Sequence, residues 1–206
     1  MRLLIASRSA GKQAEVKRVL EAAGHEVVFP DDVGIPEDEA EATLELADSF
    51  EANARAKAEY FAKRTGLPTV ADDSGLEVLM LGGAPGVRSK RWAGATGTPA
   101  EVGAANSAEL LRRLHGAPTT KRSARYRCVL VYLQAPNAIP VVVEGQTAGR
   151  ILEVAEGSNG FGYDPLFWSA DLGKSFGMAS PVEKDGVSHR GRALAKLVEV
   201  WGSEKC

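Results

Sequence analysis

Residues 71–94 read ADDSGLEVLMLGGAPGVRSKRWAG, and the fold turns on how this stretch is read. Thr69, Val70 and Ala71 have the β-branched and apolar character of the end of a buried strand. Asp72 and Asp73 follow at once, then Ser74 and Gly75. A carboxylate pair at a strand exit is awkward for a core and useful for a hard cation. Mg²⁺ takes oxygen ligands and is commonly held by one or two carboxylates together with phosphates. Further on, LGGAPG at 81–86 concentrates glycine and proline, which marks a loop shaped by its backbone. The competing reading of DDSG alone is an acidic turn between two strands.

Upstream, RLLIA at 2–6 reads as a short buried strand, followed by SRSAGK and a helix. Val16, Val19, Leu20 and Ala23 share one face of that helix, and Gly24 stops it. This arrangement sets backbone N–H groups and Lys12 at a helix start, where unpartnered donors and the helix dipole favour anions. It is no Walker A loop, because Gln13 follows Lys12 and the first glycine is missing. Read by itself, Lys12 is more often a solvated helix lysine. Glu26 to Phe29 forms a second short strand, and acidic residues run from Glu37 to Asp48. Asp48 with Glu51 makes a capping pair for the next helix, whose apolar stripe is Phe50, Ala54, Ala58 and Phe61. Asn53 and Lys57, four apart, share another face and can reach one ligand together; Lys57 could also extend to solvent.

Downstream, Thr98, Pro99 and Glu101 combine an N-cap, a proline at the first helical position and a capping-box glutamate. That helix should reach about His115, a surface residue, and end at Gly116. SARYRCVLVYLQ and VVVEGQTAGRILEVA are two long strands by alternation and β-branched content. Their short connector favours an antiparallel pair, since a parallel one needs a long crossover. EGSNGFGYDPLFW reads as a loop in which Phe161 offers a platform for a flat base, or packs within the loop. A final helix carries Leu194, Leu197, Val198 and Trp201 on one stripe, with Ser188 as N-cap. His189 and Arg190 then fall in its first turn, where cations meet the positive end of the dipole. A bound anion or an electron-rich carbonyl would relieve that conflict.

The 206 residues suffice for one large domain or two close lobes, with 44% hydrophobic and 25% charged residues as in an ordinary globular chain. A formal charge of -2 argues against a nucleic-acid coat. Two cysteines, Cys128 and Cys206, form neither a disulfide framework nor a zinc spacing, so a reducing cytoplasm is expected. The N-terminal run is too short for a signal peptide or a membrane span, so no membrane partner is expected.

Taken in order, SRSAGK at 7–12, FEANARAK at 50–57, ADDSGLEV with LGGAPGV at 71–87, NGFGYDP at 159–165 and SHRGRAL at 188–194 resemble the inosine triphosphate pyrophosphatase family over nearly the whole chain. The resemblance implies a mixed α/β fold with a long twisted sheet flanked by helices, a single domain over 1–206 made of two lobes with a central cleft. It implies a commonly homodimeric house-cleaning enzyme that hydrolyses the purine nucleoside triphosphates ITP, dITP and XTP to the monophosphate and pyrophosphate with Mg²⁺. Asp73 then resembles the general base and a metal ligand, with Glu45 and Asp72 at the same metal. Ser7, Arg8, Ser9, Ala10, Gly11, Lys12 and Lys57 resemble the triphosphate-binding residues, and Ser74 a substrate contact. Phe161, Gly162, Tyr163, Asp164, Lys184, His189 and Arg190 resemble the nucleoside-binding set.

Those roles make physical sense. Phosphoryl transfer needs positioning and relief of charge on phosphate oxygens, which Lys12, Lys57 and Mg²⁺ supply. Inosine and xanthosine carry a 6-keto acceptor where adenine carries an amino donor, and Arg190 offers donors only. A site of buried donors can reject the wrong base by roughly 10⁴-fold. Guanine shares the 6-keto group, so this leaves GTP unexplained. The sequence departs from the family pattern at Ser9, where asparagine is usual, at Leu79, where an acidic residue is common, and at Lys90, where a small one is. Ser9 motivates the competing reading, a nucleotide-binding protein with weakened catalysis.

Overall fold

The computed structural model describes residues 1–203, so Cys206 lies outside the described residues. Strand β1 (Arg2–Ile5) buries successive residues, as a strand covered on both faces must. Its side chains alternate between two cores, Leu3 and Ile5 in one and Leu4 in the other. Helix α1 (Ala10–Ala22) starts after Ser9, whose side chain makes no capping hydrogen bond. Strand β2 (Glu26–Val28) runs parallel to β1. Helix α2 (Phe50–Thr65) is capped by Ser49, whose hydroxyl accepts from the Ala52 N–H, one residue beyond the expected Asp48. Its stripe is buried as expected, and left-handed Gly66 closes it.

Strand β3 (Thr69–Val78) corrects the reading of the opening stretch. Extended backbone does not stop at Ala71; it continues through DDSG to Val78, parallel to β1 at its start. The acidic-turn alternative fails with it, because Asp72 and Asp73 are strand residues and both are buried. The glycine-rich loop then folds back against this strand. The Ser89 hydroxyl accepts from the Leu76 N–H at 2.9 Å and donates to the Gly86 carbonyl at 2.6 Å. A Cβ at Gly75 would collide with that same Gly86 oxygen, which is why the strand carries glycine there.

Helix α3 (Pro99–Arg113) has the expected capping box of Thr98 and Glu101, but ends two residues short of His115, which is exposed. Strands β4 (Ser123–Leu133) and β5 (Val141–Ile151) are sheet neighbours joined by residues 134–140, too few for a parallel crossover. Strands β6 (Phe167–Ser169) and β7 (Lys174–Ser175) extend the sheet antiparallel, and neither is anticipated from sequence. Helices α4 (Pro181–Val187) and α5 (His189–Ser203) follow, with Ser188 between them. The seven-stranded sheet has the order β2-β1-β3-β4-β5-β6-β7. Parallel pairing at one end and antiparallel at the other make it mixed, as expected.

The chain divides into two compact units. The first holds Met1–Asp73, Cys128–Gly145 and the chain from Arg190 onward; the second holds Ser74–Arg127 and Gln146–His189. In the first unit, one core gathers Leu3, Ile5, Val16, Leu20, Leu194 and Trp201, and another gathers Leu4, Ala54, Ala58 and Phe61. In the second, Leu76, Leu110, Tyr126, Phe167 and Phe176 form the centre.

Candidate active site

Successive residues of a strand point to opposite faces, and β3 uses this to separate its two carboxylates. Val70 enters the core formed with α1 and α5, and Ala71 the core formed with α2. Asp72 accordingly meets residues of α1 and α5. Its Oδ2 accepts from Lys12 Nζ at 3.0 Å and from Arg190 Nε and Nη2 at 3.3 and 3.1 Å. Arg190 Nη1 donates to Glu15. Asp72, Glu15 and Arg190 are all buried, so two carboxylates and two cations balance one another out of water. Burial alone would raise the Asp72 carboxyl, but Lys12, Arg190 and Lys57 outweigh it and hold it far below the usual range. Arg190, in turn, is raised by Asp72 and Glu15 against its own burial.

This geometry differs from two expectations. The conflict between Arg190 and the helix dipole is relieved by internal carboxylates, and at least three of its N–H bonds are committed to them rather than to a base. Asp72 faces these cations, while its neighbour Asp73 meets a different set of residues. Glu15 is missed by sequence reading. Its position between Lys12 and Val16, on the turn that carries the buried face, was the available signal.

Asp73 meets α2. Asn53 Nδ2 donates to its Oδ2 at 2.9 Å. One turn further along α2, Lys57 Nζ donates to Glu45 Oε1 and to the Asp72 carbonyl, the latter at 2.6 Å. Asn53 and Lys57 thus share a face as expected, but both turn inward. Burial raises the Asp73 carboxyl above its usual value, and Lys57, Lys12 and Asn53 only partly offset this. For Lys57, burial pulls the value down, but Glu45, Asp72 and Asp73 raise it above normal. Adjacent carboxylates are therefore driven in opposite directions, the pattern that separates a fixed charge from a proton acceptor.

Among the described residues, no group of three or more His, Cys, Asp or Glu side chains is placed to hold a metal ion. Glu45 and Asp73 nevertheless fit a hard cation. Both are oxygen donors, both interact with Lys57, and Glu45 adds to the negative potential at Asp73. A divalent ion completed by substrate phosphates needs no third protein carboxylate.

In SRSAGK, the Gln13 amide donates to the Ser7 carbonyl at 2.8 Å and the Ser9 N–H to Ser7 Oγ at 3.3 Å, which folds the loop at the start of α1. Ala10, Gly11 and Lys12 form the first turn. Arg8 leaves this group. It pairs with Glu41 and Asp31, donates to the Ile35 carbonyl at 3.0 Å, and so ties down the acidic segment.

A second constellation lies in the other unit. Asp164 Oδ2 accepts from the Phe161 N–H at 2.7 Å and from Lys184 Nζ at 2.5 Å. Gly160 is left-handed, and a Cβ there would strike the same carboxylate. Lys184 Nζ lies 5.0 Å from the Phe161 ring centre and 5.5 Å from that of Phe176. Lys184 is only 4% exposed, while Phe161 is 39% exposed. Gly162 is left-handed between Phe161 and Tyr163, whose hydroxyl donates to the Ser89 carbonyl at 2.9 Å. His189 stacks on Tyr126 at 4.6 Å, and Ser74 is half-buried at the start of this unit. Lys184 belongs to α4, a helix missed in the sequence although Ser180, Pro181 and Glu183 repeat the start signal of Thr98, Pro99 and Glu101.

The model of the Ham1 family matches residues 3–200. The chain belongs to this family. It is 47% identical over 200 residues to a dITP/XTP pyrophosphatase of Mycolicibacterium paratuberculosis, spanning 95% of this chain and 93% of that one. A solved HAM1 protein from Coxiella burnetii has a TM-score of 0.83 at 34% identity, over 98% of this chain and 99% of its own. A Mycobacterium abscessus structure described as a nucleoside-triphosphatase and dITP/XTP pyrophosphatase gives 0.71 at 45% identity, over 96% and 98%. Ham1 membership covers all the motifs above, since the matched span contains both constellations.

Proposed function

We propose that this Ham1-family chain is a Mg²⁺-dependent nucleoside triphosphate diphosphatase that hydrolyses ITP, dITP and XTP to the monophosphate and pyrophosphate. The observation that carries the reading is Asp73, a buried strand carboxylate that accepts from Asn53 at 2.9 Å on the face of α2 where Lys57 pairs with Glu45. The names of its relatives agree with it.

Asp73 accepts the proton of the attacking water. Lys12 and Lys57 relieve charge on the phosphate oxygens, with Ser7 and Ser9 in the loop before α1 and Ala10 and Gly11 in its first turn. Glu45 and Asp73 would hold Mg²⁺, which would neutralise phosphate charge and acidify water. Asp72 then orients Lys12 and Arg190. For the purine, Phe161 offers a stacking face, and Lys184, fixed by Asp164, supplies donors for a 6-keto oxygen. His189 and Tyr163 complete this set. Action as a homodimer in the cytoplasm belongs to the same reading, in keeping with two cysteines in the chain.

Phosphate release coupled to added pyrophosphatase, measured over ITP, XTP, dITP and the standard nucleotides, tests the proposal. Mg²⁺-dependent release with the 6-keto substrates and little with ATP is expected. Tight ITP binding without turnover would refute it.

A further inference from the structure

We infer that Asn53 is a positioning residue that sets the proton acceptor and the acidic metal-side segment in one register. The inference rests on the role proposed for Asp73, and it concerns a side chain that touches no substrate atom in that reading and acts through Asp73. Asn53 is fully buried on α2. Its Oδ1 accepts from the Ala47 N–H at 2.9 Å. Its Nδ2 donates to the Ala47 carbonyl at 3.3 Å and to Asp73 Oδ2 at 2.9 Å. One amide therefore pairs with the Ala47 peptide much as another strand would, and has a donor left for the carboxylate.

Each contact has a consequence. Residues 44–49 carry no helix or strand of their own, so the peptide at Ala47 has no regular ladder to hold it. Glu45 stands two residues before that anchor, and Lys57, four residues after Asn53, grips Glu45 directly. The anchored segment and the bound carboxylate are thus indexed to a single helix face. The bond to Asp73 also selects which carboxylate oxygen is occupied. The amide occupies one acceptor site on Oδ2 and so fixes how the carboxylate is turned. Glutamine would move the amide outward by a methylene, and aspartate would replace the donors with a second negative charge. Only asparagine at this position satisfies both ends.

Asn53→Ser and Asn53→Asp test the inference beside the wild-type protein, with ITP and Mg²⁺ as probes. Wild-type turnover is measured first; its absence would refute the function, and leaves nothing for Asn53 to position. With turnover present, kcat should fall about 10- to 100-fold in Asn53→Ser, the range for losing a hydrogen bond to a charged group. KM for ITP should stay within about threefold, since the phosphate and base contacts are untouched. Amide exchange of the peptide spanning residues 44–48 should accelerate in both variants, whatever the activity. Asn53→Asp should lose at least as much kcat as Asn53→Ser. A kcat within threefold of wild type in a folded variant would overturn the inference, as would a loss confined to KM or unchanged exchange at 44–48. If both variants lost the wild-type thermal transition, Asn53 would be a residue of the fold, and the inference would fail too.

Discussion

Replacing Arg190 by methionine puts the buried charge balance to a quantitative test. The guanidinium is 1% exposed and bridges Glu15 and Asp72. Methionine fills much of the volume but brings no charge, so the loss is electrostatic rather than a cavity. Asp72 keeps Lys12 at 3.0 Å, whereas Glu15 loses the buried cation that faces it. Breaking a buried pair on one side costs about 3–5 kcal/mol. In a chain of this size that lowers Tm by roughly 6–20 °C, at about 2–4 °C per kcal/mol. The pH dependence gives a second, independent readout. In the wild type, Asp72 is depressed, so its contribution is present above the ordinary carboxylate range and is lost as pH falls. Arg190→Met removes one of the cations that depress Asp72, so the gap between the two proteins should narrow as pH falls below 3.8. Adding Glu15→Gln to Arg190→Met should recover about 1–3 kcal/mol. Urea unfolding followed by tryptophan fluorescence measures all three proteins. A destabilisation under 1 kcal/mol, or a double variant no more stable than Arg190→Met, would refute the charge balance.

Three other outcomes follow from the structure. Asp73→Asn should reduce ITP turnover by at least 10³-fold, a loss in the range expected for general-base catalysis, while ITP binding stays measurable by calorimetry; near-normal turnover would remove Asp73 as the base. Ser180→Ala should cost about 1 kcal/mol through loss of the α4 cap, and raise KM for ITP with little change in kcat, because Lys184 rides on that short helix; an unchanged KM would separate the cap from the site. Cys128 is fully buried and its thiol is pushed up to about 12, first by burial and then by Asp72. Iodoacetamide at pH 8.5 should leave it unmodified in the native protein, read by mass spectrometry of its peptide. Because the unfolded thiol loses its proton first, this group's stabilisation is present below pH 9.0 and fades as pH rises towards 12. A flatter alkaline stability curve in Cys128→Ala would reflect it.

Much of the fold is legible where one rule acts alone. The stripes of α2 and α5, the Thr98 capping box and the long strands β4 and β5 all follow from period, cap chemistry or β-branched content. The reading fails where tertiary partners override a local rule. Nothing within DDSG says that strand geometry continues, because extended, buried aspartates become acceptable only once Lys12, Lys57, Asn53 and Arg190 arrive from distant segments. Arg190 is legible as a cation out of place, but its carboxylate partners lie 118 and 175 residues away in the chain. The very short β6 and β7 leave too few residues for any period to register. α4 is the one element whose signal is present and overlooked. Ser180, Pro181 and Glu183 repeat a start signal read correctly elsewhere.

The alternation in β3 works as a partition. Two identical side chains, joined by a single peptide bond, occupy two compartments set by their direct partners, Lys12 and Arg190 on one face and Asn53 on the other, although Lys12 and Lys57 act on both carboxylates. Their difference is carried by parity along the strand and by nothing in the residues themselves. A one-residue insertion or deletion between Thr69 and Asp72 would therefore exchange the compartments, offering the proton acceptor to the cations and the fixed anion to the amide. Length in this stretch should be far less variable than residue identity.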